Sequence, residues 1–376
     1  MPALLDTVDP QGLEEFSVVF TDRSLNSMSA AFQTVMRDIS GLLKEVYNAD
    51  GVAVVPGGGS YGMEAVARQF ARGADVLVVR NGWFSYRWSQ ILEAGGLARN
   101  LRVMKARQAG NDPLSGFAPA PIDEVVAAIR NDKPAVVFAP HVETSAGVIL
   151  PDDYIQQMAA AAHEVGALMV LDCIASGCVW VDMGALGVDV LISAPQKGWS
   201  AAPCAGLVML SARAEARLAE TTSDSFALDL AKWRSIMQAY ENGGHAYHAT
   251  MPTDALRAFR DTMQETRAYG FGALRDAQWQ LGDGVRAMLA AKGVRSVAAD
   301  GFGAPGVVVS YTDDPEIQSG KRFLAEGMQI AAGVPLQCDE PEGFRTFRLG
   351  LFGLDKLYDV PATMARLARV LDKVVT

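Results

Sequence analysis

Cysteine is scarce in this chain of 376 residues: there are four, Cys173, Cys178, Cys204 and Cys338, with no CxxC pair. That spacing excludes a disulfide framework and a zinc-ribbon pattern, and it fits a reducing cytoplasm. Basic residues are also in deficit, 33 against 43 acidic ones, for a net charge of −10. With no basic run to offset that balance, neither nucleic acid nor an anionic membrane is expected as the main partner. Long uncharged runs are missing too. The longest stretch without Asp, Glu, Lys or Arg is Gly198–Ala212, which contains Pro203. It is shorter than the roughly 20 residues of a membrane helix. The opening MPALLDTVDPQ has no basic region followed by an apolar one, so it does not read as a signal peptide.

Hydrophobic residues make up 50% of the chain, enough for large buried cores and against disorder. Glycine is plentiful at 36 residues, and its entropic cost implies turns or close backbone approaches. After an N-terminal arm (1–26), a 3.6-residue stripe predicts a helix over Ser27–Tyr47 with Ser27 as its cap. Apolar runs then appear at 52–55, 76–79, 136–138, 168–171 and 188–192, separated in places by helical patterns at 63–71, 122–129 and 153–165. Most of the runs do not alternate, so they read as strands covered on both faces of a largely parallel sheet. Residues 207–210 follow too closely for a helical crossover and are expected to pair antiparallel. The chain is thus read as a large α/β domain over 27–252 and a smaller α+β domain over 253–376. The second part is expected to hold a long helix capped by Thr253 and interrupted near Gly270, a strand at 307–310, a helix at 315–326, a strand at 346–350 and a helix at 361–374.

Three places concentrate chemistry. Pro56-Gly57-Gly58-Gly59-Ser60-Tyr61-Gly62 lies between a strand and a helix, where free N–H groups favour an anion; a plain flexible turn fits equally. It is neither GxGxxG nor a Walker loop. Asp172 ends a buried strand, as a turn cap or as a partner for a cationic ring nitrogen. Lys197 follows the next strand, and burial there would make its amine a nucleophile. A lone lysine is ordinarily a solvated surface charge. Here Asp172, Lys197 and the glycine turn all fall at carboxyl ends of strands, the edge where open α/β sheets bind ligands. Together they are the parts that hold pyridoxal phosphate.

From about Ser27 onward the chain resembles fold-type I enzymes of the class V aminotransferase family, most nearly the alanine/serine–glyoxylate aminotransferases. Ser193-Ala194-Pro195-Gln196-Lys197 resembles the family's Ser-x-x-Gln-Lys, which implies Lys197 as the Schiff-base lysine and Gln196 as a phosphate ligand. By the same resemblance, Asp172 pairs with the pyridine nitrogen and Ile174 packs on one ring face. Asn81-Gly82-Trp83-Phe84-Ser85-Tyr86-Arg87 is similar to Asn-Gly-x-aromatic-Gly-x-Arg, with Ser85 in place of the second glycine, and implies Phe84 on the other face. His141-Val142-Glu143-Thr144-Ser145-Ala146-Gly147 resembles His-x-Glu-Ser/Thr-Ser-x-Gly and assigns Thr144 to the phenolic oxygen. His141 and Glu143 have no third partner for a metal. Gly58 stands where relatives often have Ser or Thr, so Gly58 and Gly59 leave backbone donors for phosphate and Ser60 the hydroxyl.

Tyr247-His248-Ala249-Thr250-Met251-Pro252 resembles Tyr-His-x-Thr-x-Pro. It implies that Tyr247 and Thr250 reach the phosphate of a neighbouring subunit, hence a homodimer with shared active sites. Phe347-Arg348-Leu349-Gly350 resembles Leu-Arg-Ile/Leu-Gly and makes Arg348 the clamp for a substrate carboxylate; Arg345 is out of register. Residues 16–26 replace the family's Gly-Pro-x-Pro segment. Gln196 and Phe84 depart from the cysteine desulfurases, and Cys338 reads as a free thiol, Cys173 as buried and inert. The glycines at 58, 59, 82, 147 and 198 are expected to mark close approaches to one bound cofactor. The activity implied is transfer of an amino group between a small, alanine- or serine-like amino acid and a keto acid such as glyoxylate or pyruvate. The alternatives are a lyase acting on an amino acid or aminophosphonate with the same cofactor, and a catalytically silent binding protein. A dehydrogenase is disfavoured by the glycine spacing.

Overall fold

The computed structural model describes residues 8–375. Its first long helix, α1 (Ala30–Tyr47), starts at Ser29, whose hydroxyl accepts the Phe32 N–H at 3.1 Å. Ser29 therefore takes the cap expected of Ser27, because Asn26–Met28 still form a turn in which the Asn26 side chain accepts the Met28 N–H. Phe32, Val35, Met36, Ile39, Leu42 and Leu43 are buried along one stripe, which is what drives a helix to dock on a core.

Seven strands follow: β1 (Gly51–Pro56), β2 (Asp75–Arg80), β3 (Asn100–Lys105), β4 (Val136–Pro140), β5 (Leu168–Asp172), β6 (Val190–Ser193) and β7 (Ala205–Leu210). They form one sheet in the order β1-β7-β6-β5-β4-β2-β3. β7 is antiparallel to both neighbours, as its short connection requires, and the other pairs are parallel. Every residue of β4, β5, β6 and β7 is buried, so both faces are covered. β3 carries no apolar run. It is the edge strand, and Asn100 and Arg102 face water, which is why its sequence hides it.

The glycine turn opens α2 (Gly59–Phe70), and α3 (Trp83–Ala94) follows β2. Past the sheet, α4 (Thr253–Tyr269) places Leu256, Phe259 and Met263 in the main core. Pro252 stands at the cap, and Thr253 is already helical. The chain breaks at Gly270, at φ 105°, and resumes as α5 (Phe271–Ala291). A second sheet of β8 (Val307–Tyr311), β9 (Ala331–Ala332) and β10 (Thr346–Gly350) is antiparallel, with β10 central. The helix expected over 315–326 is split at Gly320 (φ 79°) into Pro315–Gln318 and Lys321–Ala325. α6 (Val360–Val374) ends the chain with Pro361 in its first turn. Among the described residues no helix is long and apolar enough to cross a membrane.

A separate apolar cluster seats the 142–149 hairpin on the second sheet. Val142, Val148 and Ile149 of the 142–149 hairpin pack with Val307, Val309 and Leu336. The hairpin loop that carries Thr144 is thereby held against the second sheet.

Candidate active site

Asp172 closes β5, and Lys197 lies on the connection from β6 to β7, so both stand at the carboxyl edge of the sheet. Asp172 is buried, and its Oδ1 accepts the Ile174 N–H at 2.9 Å. Burial pushes its carboxyl up to about 6; the Ile174 N–H and the Lys197 charge oppose that rise, and Glu143 adds to it. For Lys197 burial lowers the amine, the attraction of Asp172 and Glu143 raises it, and Arg348 and Arg87 lower it further. A cavity of about 500 Å³ opens beside Lys197, lined also by Gln196, Ser200, Thr262, Glu265, Phe352 and Tyr358.

Phe84 sits in the first turn of α3 with three cations around its ring. Arg87 Cζ, Arg348 Cζ and Lys197 Nζ lie 5.4, 5.5 and 5.9 Å from its centroid. Phe352 approaches the lysine from elsewhere, its centroid 5.6 Å from Nζ. Arg348 comes from the middle of β10. Its Nε donates to the Ala332 carbonyl at 2.8 Å and a terminal nitrogen reaches the Thr144 carbonyl at 3.5 Å. Burial lowers its pKa, against the attraction of Glu143. Arg345 points away and donates to the Asp313 carbonyl at 2.5 Å.

At the other end of the site, Gly58 caps α2 and Gly59 and Ser60 begin it. Ser60 Oγ accepts a hydrogen bond from Arg87 at 2.9 Å, a partner with no signal in the glycine turn itself. A Cβ added at Gly58 would meet nothing within 4 Å, so open space lies there. At the other glycines protein makes a close approach to the position a side chain would fill. A Cβ at Gly59 would strike Ile174 at 2.5 Å, at Gly82 the Ser145 hydroxyl at 2.1 Å, and at Gly198 the Gly177 carbonyl at 2.1 Å. At Gly147 it would crowd Val309 at 3.2 Å. These four are small because protein packs against them, and that packing builds the walls of the site.

The Thr144 loop is buried. His141 Nδ1 lies 2.7 Å from Ser176 Oγ, and burial lowers its imidazole to about 4, so it stays neutral. No group of His, Cys, Asp and Glu suited to a metal occurs among the described residues. Cys173 and Cys338 are buried free thiols raised by burial, Cys338 to about 12. Tyr247 and Thr250 are not gathered here. Tyr247 is 60% exposed, its hydroxyl 3.2 Å from Thr250 Oγ1, and neither lines the cavity beside Lys197. Residues 16–26 form turns, with Phe16 and Val18 in water.

An open α/β sheet with a half-buried lysine and a buried carboxylate at its carboxyl edge, and two arginines around the neighbouring Phe84 ring, is the arrangement of a ligand-binding α/β enzyme. The family model for aminotransferase class-V matches residues 11–334. The chain is 27% identical over 356 residues to a 2-aminoethylphosphonate–pyruvate transaminase of Paraburkholderia phymatum, covering 92% of this chain and 90% of the relative. It is also 26% identical over 347 residues to the small subunit of a soluble hydrogenase from Synechococcus sp., covering 91% and 86%. In fold it is similar to an alanine–glyoxylate aminotransferase of Nostoc sp., with a TM-score of 0.79, 22% identity and coverage of 94% and 89%. The chain belongs to the class V aminotransferase family and has its fold-type I architecture. It is an aminotransferase, moving an amino group between an amino acid and a keto acid.

Proposed function

We propose that the protein uses pyridoxal 5′-phosphate to move an amino group from a small, alanine- or serine-like amino acid to pyruvate or glyoxylate. The observation that carries this reading is the pairing of Asp172 and Lys197 at one sheet edge. Asp172 is a buried carboxylate with one backbone donor, in a setting that calls for a cation. The cofactor fits the residues present. Asp172 would accept the ring N–H, Phe84 and Ile174 would flank the ring, and Thr144 would meet its phenolic oxygen. The Gly58–Gly59 backbone, Ser60 and Gln196 would hold its phosphate, beside the open space at Gly58. When bound, the cofactor supplies an electron sink for charge developing at the substrate Cα.

The chain's own groups do the rest. Arg348 holds the substrate carboxylate and so fixes which Cα bond faces Lys197. Lys197 Nζ takes the proton from Cα as a general base and returns one as a general acid, a role helped by the lowered affinity of its amine for protons. Pyruvate as acceptor is supported by the name of the Paraburkholderia relative.

The active unit in this reading is a homodimer, in which Tyr247 and Thr250 of each copy complete the phosphate site of the other. Their exposure and their absence from the cavity lining support that reading. Residues 253–376 act as the smaller domain carrying Arg348. Four buried, unpaired cysteines support a cytoplasmic setting. The test is a panel of amino donors against pyruvate and glyoxylate, followed by cofactor absorbance. Keto acid-dependent amine transfer supports the reading, and product formation without a keto acid makes the chain a lyase.

A further inference from the structure

Glu143 is a fully buried carboxylate with no cation bonded to it. Its Oε2 accepts the Ser85 N–H at 2.8 Å and the Ser85 hydroxyl at 2.7 Å. Its Oε1 accepts the Phe84 N–H at 3.2 Å, the Ser145 N–H at 3.0 Å and the Ser145 hydroxyl at 2.7 Å. Five donors therefore converge on one side chain, two of them at the N-terminus of α3, where helix N–H groups favour an anion. Ser85 is the residue that departs from the family's glycine. Its hydroxyl also accepts the Asn81 N–H at 2.9 Å and the Gly82 N–H at 3.1 Å. The departure is thus absorbed by a bond network centred on the carboxylate.

We propose that Glu143 is a positioning residue: it clamps the first turn of α3 so that Phe84 stays over the site, and it supplies the buried negative charge that balances Lys197 and Arg348. The inference rests on the assignment of Lys197 and Phe84 above. The clamp joins two separate elements, since Glu143 and Ser145 lie on the hairpin and Phe84 and Ser85 on α3. A Cβ at Gly82 would also collide with Glu143 Cγ at 2.7 Å, so the helix start and the carboxylate are in direct contact. The geometry brings these charges together: Glu143 holds the Phe84 N–H, the Phe84 ring has Lys197 Nζ and Arg348 Cζ at 5.9 and 5.5 Å from its centroid, and Arg348 reaches the carbonyl of Thr144, next to Glu143, at 3.5 Å. The charges facing Lys197 are Asp172, Glu143, Arg348 and Arg87. Those acting with Glu143 are Asp172, Lys197 and Arg348, with the Cys338 thiol beside them. Two cations beyond Lys197 therefore face two carboxylates, and removal of Glu143 leaves Asp172 alone against three cations.

The test pairs Glu143→Gln with the double variant Ser85→Ala/Ser145→Ala. Trace acetylation of the cofactor-free protein, read by mass spectrometry on the Lys197 peptide, gives the pH at which that amine is half protonated. Glu143→Gln should move it down by roughly half a unit, because an attracting charge is gone. The double variant keeps the charge and should leave that midpoint in place. Both should weaken uptake of pyridoxal phosphate, followed by quenching of protein fluorescence, by roughly tenfold. An unmoved midpoint in a folded Glu143→Gln overturns the charge role, and wild-type uptake in the double variant overturns the clamp. If Glu143→Gln does not fold, Glu143→Asp, which keeps the charge but shortens its reach, should retain the midpoint and lose uptake; wild-type uptake there overturns the proposal. Failure of the wild-type protein itself to take up the cofactor counts against the assignment of the site.

Discussion

The two halves of the site are built differently. At the strand ends, Asp172, Glu143, Ser85 and Thr144 are buried, and Glu143 alone gathers five donors. On the 247–250 loop, Tyr247 and Thr250 are exposed and bond mainly to each other. The first half is complete within one chain and fixed before any ligand arrives. The second has little to hold it in one chain, in keeping with the proposal that these residues act on a neighbouring copy. In the proposed reading, burial separates the groups assigned to chemistry from those assigned to assembly.

Substitution at the strand ends should have the largest effects. Lys197→Ala should abolish the cofactor's absorbance near the visible edge and lower turnover by about a thousandfold or more, measured in single-turnover assays. Asp172→Asn should lower turnover by roughly a hundredfold while the protein stays folded. It also carries a pH signature in the ligand-free protein. The folded carboxyl titrates near 6, above its ordinary 3.8, so the folded state binds that proton more tightly than the unfolded chain. The resulting stability is full below the ordinary value and is lost as pH rises through about 6. Between about pH 4 and pH 7 the wild type should lose on the order of a few kcal/mol relative to Asp172→Asn, read by denaturant unfolding at both.

Arg348 lies beside the buried half, itself half-buried and already bonded to two carbonyls. Arg348→Lys should raise the donor KM by roughly tenfold and change kcat less, because one of the paired hydrogen bonds to the carboxylate goes. The smallest effect on folding belongs to the exposed loop. Tyr247→Phe with Thr250→Ala should change chain stability by less than about 0.5 kcal/mol. It should nonetheless weaken cofactor retention several-fold in gel-filtered dimer. Loss of folding in that variant would break the contrast.

Legibility in the sequence follows the same division. Buried strands announced themselves as unbroken apolar runs, and the motifs around Lys197 and Asp172 carried the site. β3 was invisible because an edge strand with Arg102 and Lys105 has no apolar run. Ser27 and Ser29 both fit a cap, and only the turn formed by Asn26 chooses between them. The glycines at 59, 82, 147 and 198 signalled close approach, yet sequence alone cannot say whether protein or ligand makes it. Phe352, near Lys197, and Arg87, bonded to Ser60, come together from distant segments, which spacing does not reveal. Glu143 beside His141 reads in sequence as a metal pair without a third ligand; its partners in the fold are hydroxyls and amides.

The most direct test of the account is borohydride reduction of the cofactor-loaded protein, followed by peptide mapping. A single pyridoxyl adduct on Lys197, absent from Lys197→Ala, is the predicted result. No adduct, or an adduct on a different lysine, would contradict the central claim that the Asp172–Lys197 edge holds the cofactor.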